Sequence, residues 1–163
     1  MAECIELQPH DPSWTVYFKK EESLLRRLLG NSVDCVNHVG STAIPTIRAK
    51  PVIDIAVEAK PYPPDNSIIQ TLQSLGYKLH GESGVTGRIW FTKGIPRKFN
   101  LHWCPINGNV AQAQIQFRDA LIANPKLANE YETLKLQNAD RRHIDSTEYA
   151  DLKTEFILKV LSE

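Results

Sequence analysis

The chain has 163 residues, 42% of them hydrophobic and 23% charged, which places it among ordinary globular proteins and points to one folding unit. Its 19 Lys and Arg are cancelled by 19 Asp and Glu, so no bulk field calls for nucleic acid or an anionic membrane. Cys4, Cys35 and Cys104 lack a CxxC spacing and read as reduced thiols, no signal-peptide pattern follows Met1, and no apolar run approaches the ~20 residues of a membrane span, so the expectation is a cytoplasmic protein.

Ile5 and Leu7 alternate with polar neighbours, a weak strand signal. Asp11 then suits the cap of a helix that takes Pro12 at its first position. Trp14, Tyr17, Phe18, Leu24, Leu25, Leu28 and Leu29 follow at helical spacing, which is the stripe of a core-facing surface, and Gly30 stops the helix. A strand is expected near Val33–Val39. The loop Gly40–Pro51 is long for a link between paired strands, and long ordered loops are more often functional than filler. Val52–Glu58 is a second strand. Its apolar residues are nearly continuous, which puts it at the centre of the sheet with both faces covered.

A proline-rich break at Lys60–Asp65 precedes a helix over Asn66–Leu75, stopped by Gly76. Tyr77–His80 is a short strand and Gly81–Gly87 a turn. Arg88–Lys93 and Lys98–Cys104 form a hairpin; in the second, Asn100, His102 and Cys104 share one face and Phe99, Leu101 and Trp103 the other. Past Asn109 the pattern is helical, over Val110–Ala123, Pro125–Arg141 and Thr147–Ser162, with Asp145 and Glu148 resembling a capping box at the last. The sum is one α+β domain over residues 1–163: a short mixed sheet in the first two-thirds and a helical last third packed on it.

The chemistry concentrates between residues 33 and 59. Gly40-Ser41-Thr42 follows a strand, and a Gly-Ser turn offers free amides and a hydroxyl that suit a phosphate. Alone such a turn is only a turn. Asp54 gives it meaning, because a carboxylate between isoleucines is costly unless it is paired, hydrogen-bonded or bound to a metal. A hairpin returns Asp54 beside the turn, where it suits Mg2+ held jointly with substrate phosphate. The same position also suits an ion pair with Arg48 or Lys50. Ala56 follows on the same face, and Glu58 lies ~13 Å further along the strand, too far to share a cation. His102 suits a ligand or general base as well as a structural histidine. Lys50, Arg88, Arg118 and Lys135 are candidate phosphate clamps, or solvated surface charges.

Taken together these residues resemble the GrpB-like proteins, an uncharacterised family placed in the nucleotidyltransferase superfamily. The resemblance is carried by Asp11-Pro12-x-Trp14, His38-Val39-Gly40-Ser41-Thr42-Ala43-Ile44-Pro45, Ala49-Lys50-Pro51-Val52-Ile53-Asp54-Ile55, Gly76-Tyr77, Leu101-His102, Phe117-Arg118-Asp119, Asn124-Pro125, Tyr131 with Leu134-Lys135, and Tyr149 with Lys153. It implies a nucleotidyltransferase-like fold in which Gly40 and Ser41 take the phosphates of a nucleotide and Asp54 a metal. The chain departs from the superfamily at Ala56, where a second metal-binding acid is usual, and from its relatives at Thr46, where Gly is usual. Two functions therefore stay open: transfer of a nucleotide from its Mg2+-bound triphosphate to a small-molecule acceptor, with Asp54 and His102 catalytic, or binding of a nucleotide or phosphorylated metabolite without turnover.

Overall fold

The computed structural model describes residues 7–139 and 146–162. The strand signal at Ile5, the Arg141 end of the fourth helix and the Asp145 cap lie outside them. The chain enters helix α1 (Ser13–Leu29), then strands β1 (Val33–Val39) and β2 (Ile53–Ala59), helix α2 (Asn66–Ser74), strands β3 (Tyr77–Gly81), β4 (Ile89–Lys93) and β5 (Phe99–Pro105), and finally helices α3 (Asn109–Ala123), α4 (Pro125–Ala139) and α5 (Ser146–Leu161). The mixed α+β architecture expected from the sequence is the one observed. Among the described residues no helix is long and apolar enough to cross a membrane.

Local chemistry explains the ends of these elements. The Asp11 carboxylate accepts the Ser13 amide at 2.9 Å, and the Asp65 carboxylate accepts Ile68 N at 2.9 Å, so both helices start on a side-chain acceptor. Gly30 ends α1 at φ +53° and continues as a short 3-10 turn over Gly30–Ser32.

The five strands lie in the order β1-β2-β5-β4-β3. β1 and β2 are antiparallel, β4 and β5 form the expected hairpin, and β2 and β5 run parallel. This corrects the expectation that the second strand is central: β5 holds the middle and β2 lies between it and β1. β2 reads as apolar because α1 covers one face and α3 the other, not because of its rank in the sheet.

On the first face Trp14, Phe18 and Leu25 of α1 and Leu72 of α2 pack against Ile55, Val57, Phe91, Leu101 and Trp103. Each such side chain contributes about 1.5–3 kcal/mol on burial. On the second face Ala111 of α3 packs on Val39, Ala56 and Cys104. A separate cluster joins Phe117, Leu121, Ala128, Tyr131 and Val160 to Ile44 and Ile47. The helical third thus packs on the long loop after β1 as well as on the sheet. Towards β4 the second face changes character. Trp90 lies opposite His102 and Thr92 opposite Asn100, so this end of the face is polar.

Candidate functional site

Antiparallel pairing sets Val39 at the end of β1 directly opposite Asp54. The chain leaves Val39 through Gly40 at φ +74° and ψ −176°, a conformation open essentially to glycine alone. A Cβ at Gly40 would collide with the Asp54 Oδ2. Turn and carboxylate are therefore built as one unit, and glycine is required twice over. Ser41–Ala43 then makes a single turn of 3-10 helix. Its own hydrogen bonds take the amides of Ala43 and Ile44 at 3.1 Å, not those of Ser41 and Thr42.

Thr42 is buried, and its hydroxyl lies 2.8 Å from His38 Nε2. The His38 ring stacks on Phe18 with centroids 4.8 Å apart. Burial drives the His38 pKa down to about 4, against the pull of the Asp54 charge, so this ring is neutral. Arg118 reaches over from α3, pairs with Asp119 at 2.8 Å and donates to the His38 carbonyl at 3.0 Å. Thr42 and His38 brace the turn, and Arg118 ties it to α3.

Asp54 faces the parallel neighbour strand. Its side chain is 31% exposed, so it sits at the mouth of the site and not beneath a closed floor. Asn100 Nδ2 donates to Asp54 Oδ1 at 3.1 Å, and Trp90 Nε1 donates to Asn100 Oδ1 at 3.2 Å. His102 Nε2 lies 3.8 Å from the same Asp54 oxygen. Burial alone would push the Asp54 carboxyl up. The facing His102, the Lys153 charge and the Asn100 donor outweigh it and hold the carboxyl below its ordinary range.

Arg88 decides the role of His102. Its Nη1 lies 3.0 Å from His102 Nδ1. A guanidinium only donates, so Nδ1 accepts and the ring proton sits on Nε2, towards Asp54. In this arrangement His102 has no free lone pair for a metal or for an incoming proton. It turns its Nε2–H towards Asp54 from 3.8 Å, too far for a direct hydrogen bond, which differs from the base or ligand its position in the sequence suggests.

Ala56 lies opposite His102 and is fully buried against Val39, Cys104 and Ala111. Glu58 is engaged elsewhere, accepting from Asn107 N at 2.9 Å and Gln112 Nε2 at 3.0 Å. Among the described residues no group of three Asp, Glu, His or Cys converges to hold a metal. Mg2+ demands near-octahedral oxygen ligation, so this donor set does not fit a resident magnesium ion.

The remaining candidates are dispersed. Lys50 is exposed on the loop before β2. Lys135 is not a surface charge: it is 1% exposed, donates to the Arg48 carbonyl at 2.7 Å and lies 5.2 Å from the centre of the Tyr131 ring. Glu132 accepts the Arg48 amide at 2.6 Å, so α4 holds the backbone of Arg48 by both its N–H and its carbonyl. The structure thus gathers Gly40, Asp54, His102 and Arg88, keeps Ser41 and Arg118 beside them, and turns Thr42 and Lys135 into packing. Sequence reasoning passed over His38, Trp90 and Asn100 as site residues. For Asn100 the available signal was polar residues at alternate positions of the otherwise apolar KFNLHWC.

A family model described as GrpB protein matches residues 4–163. UPF0157 protein YqkA of Bacillus subtilis (strain 168) is 30% identical over 154 residues; the match covers 94% of this chain and 45% of YqkA, so the chain spans about half the length of that relative. A crystal structure of conserved protein GrpB from Enterococcus faecalis is similar with a TM-score of 0.81 at 28% identity, over 96% of this chain and 99% of that one. The Cid1 poly (U) polymerase, solved with Mg 3'-dATP bound, is similar with a TM-score of 0.56 at 12% identity, over 90% of this chain and 49% of that one. At 12% identity the likeness concerns the fold alone.

Proposed function

The chain belongs to the GrpB family, and from the site it carries we propose that it transfers a nucleotidyl group from a nucleoside triphosphate to a small-molecule acceptor. The observation that carries this reading is the joint packing of Gly40 and Asp54, a glycine turn moulded onto a carboxylate. It sits on a fold shared with a polymerase whose structure holds a magnesium nucleotide. The triphosphate lies on the amides of Ser41 and Thr42 and enters with its magnesium ion as part of the substrate. Asp54 supplies the protein's carboxylate to that side of the cleft, and Lys50 and Arg118 add positive charge from the loop and α3. An acceptor oxygen forms its bond to the α-phosphorus as the bond to the bridging oxygen breaks and pyrophosphate leaves. Positioning and electrostatics carry such a step. The reading places the protein in the cytoplasm, where its three cysteines stay reduced.

Ala56 supports a second reading, a binding module that holds a nucleotide without turnover. A buried methyl in place of a second carboxylate leaves the substrate's cation with fewer protein ligands. Release of pyrophosphate from triphosphate plus acceptor separates the two readings.

Asp54→Asn tests what they share. The amide oxygen can still accept from Asn100, so stability should change by no more than about 1 kcal/mol. Affinity for a magnesium triphosphate should drop about tenfold, the usual scale for a lost charge-assisted contact. In EDTA the variant should bind the free triphosphate no worse than wild type, because a repelling charge is gone. Calorimetric titration in both buffers reads this. Unchanged affinity in Mg2+ would make Asp54 structural and leave the nucleotide reading without its central residue.

A further inference from the structure

We propose that the Trp90 end of the cleft is an anion subsite and that the acceptor it holds is a phosphomonoester, an inference that rests on the nucleotidyl-transfer reading above. The chain is neutral as a whole, yet this corner is not. The guanidinium carbons of Arg88 and Arg97 lie 5.3 and 5.2 Å from the centre of the Trp90 ring, and the His80 ring lies 4.4 Å from it. Lys78 and Arg97 both act on His80 as neighbouring positive charges. The ion pairs among the described residues involve none of Lys78, Arg88 or Arg97. Lys78 and Arg97 are exposed, whereas Arg88 is partly buried, and a partly buried charge favours an anion beside it.

Arg88 makes the demand specific. Its Nη1 is used on His102, while its Nε is buried and has no acceptor among the described residues. Such a donor needs a partner. The corner is also wired to the reaction centre, because Trp90 donates to Asn100 and Asn100 to Asp54. A ligand on Trp90 therefore lies within two hydrogen bonds of the carboxylate.

The choice of phosphate follows from His102. With Nδ1 accepting from Arg88 and the proton on Nε2, the site presents no general base there. A hydroxyl acceptor must lose a proton as it attacks. A phosphomonoester is already ionised near neutrality. One of its oxygens forms the bond to the α-phosphorus, the bond to the bridging oxygen breaks with its electron pair leaving on pyrophosphate, and no proton has to move. Arg88 and Arg97 hold the remaining phosphate oxygens, a task to which guanidinium forks are suited.

The test uses ribose 5-phosphate as the phosphomonoester, ribose as its neutral control and α,β-methylene ATP as the triphosphate. Ribose 5-phosphate should perturb tryptophan emission and bind wild type where ribose does not. Arg97→Gln alters an exposed residue, so it should fold normally while weakening ribose 5-phosphate about tenfold and leaving the triphosphate unaffected. Trp90→Phe should abolish the emission change. Failure of ribose 5-phosphate to bind, equal affinity in Arg97→Gln, or its displacement by the triphosphate would each overturn the subsite. Arg97-dependent binding of ribose 5-phosphate without any triphosphate binding would keep the subsite and discard the nucleotidyl-transfer reading.

Discussion

Gly40→Ala should cost the fold about 3 kcal/mol and remove triphosphate binding with it. The backbone at Gly40, with φ +74° and ψ −176°, is closed to a residue with a Cβ, at a cost of about 1–3 kcal/mol. The new methyl group also collides with the Asp54 Oδ2 and presses on the Asp54 Cβ and Cγ at 3.0 Å. Overpacking of that kind adds about 1–3 kcal/mol. Relief requires Asp54 to swing away from Asn100 and the turn to lift off β2, and either movement dismantles the phosphate cradle. Gly30→Ala is the control, because Gly30 also has positive φ but nothing within 4 Å of the added methyl. Urea denaturation should show a clearly larger drop in midpoint for Gly40→Ala, with an unchanged slope. Equal losses in the two variants would mean that Asp54 gives way without resistance.

Lys135→Met should remove a pH dependence of stability that wild type shows between pH 7 and pH 9. Burial lowers the Lys135 pKa from its usual 10.5 to about 7; Lys153 lowers it further, and Glu132 and Asp54 pull the other way. The unfolded chain keeps its proton up to about 10.5, whereas the folded chain releases it near 7. Between those values the unfolded state binds more protons, so stability rises with pH. The gain is complete above 10.5 and is lost as pH falls through 7. In full it is on the order of 5 kcal/mol, of which about 2 kcal/mol falls between pH 7 and pH 9. Cys104, held up at about 12, works in the opposite sense at higher pH. The comparison therefore stops at pH 9 and takes wild type minus variant. Parallel curves would show that Lys135 stays charged when folded, held by the Arg48 carbonyl and Tyr131.

Local rules made much of the fold legible. The strand over Val33–Val39 and the Asp11-Pro12 start belong to short windows, and the structure has both. The return of Asp54 to the Gly40 turn was also within reach, because a hairpin is a local object. The parallel β2–β5 pairing was not, since it joins Asp54 to Asn100 across 46 residues and depends on what the intervening helix and strands leave exposed. Lys135 escaped for a related reason. A lysine on a helix is a surface residue by default, and only the docking of α4 on the Ile44–Ile47 loop puts it inside. The proton position on His102 was hidden because Arg88, just before β4, fixes it.

The late arrival of β5 has a consequence for the newborn chain. Synthesis delivers β1 and β2 first, whereas Phe99 follows Ala59 only after α2, β3 and β4. Until then the far edge of β2 has no neighbour, and Ile53-Asp54-Ile55-Ala56-Val57-Glu58-Ala59 is the kind of apolar strand that recruits a second copy. Its two carboxylates, second and sixth in the strand, are the gatekeepers that such an edge requires. Glu58 later serves the turn before α3, and Asp54 later serves the cleft. Before either task both keep nascent strands apart. A neutral residue at position 54 is thus felt first as lower soluble yield, ahead of any effect on the finished protein.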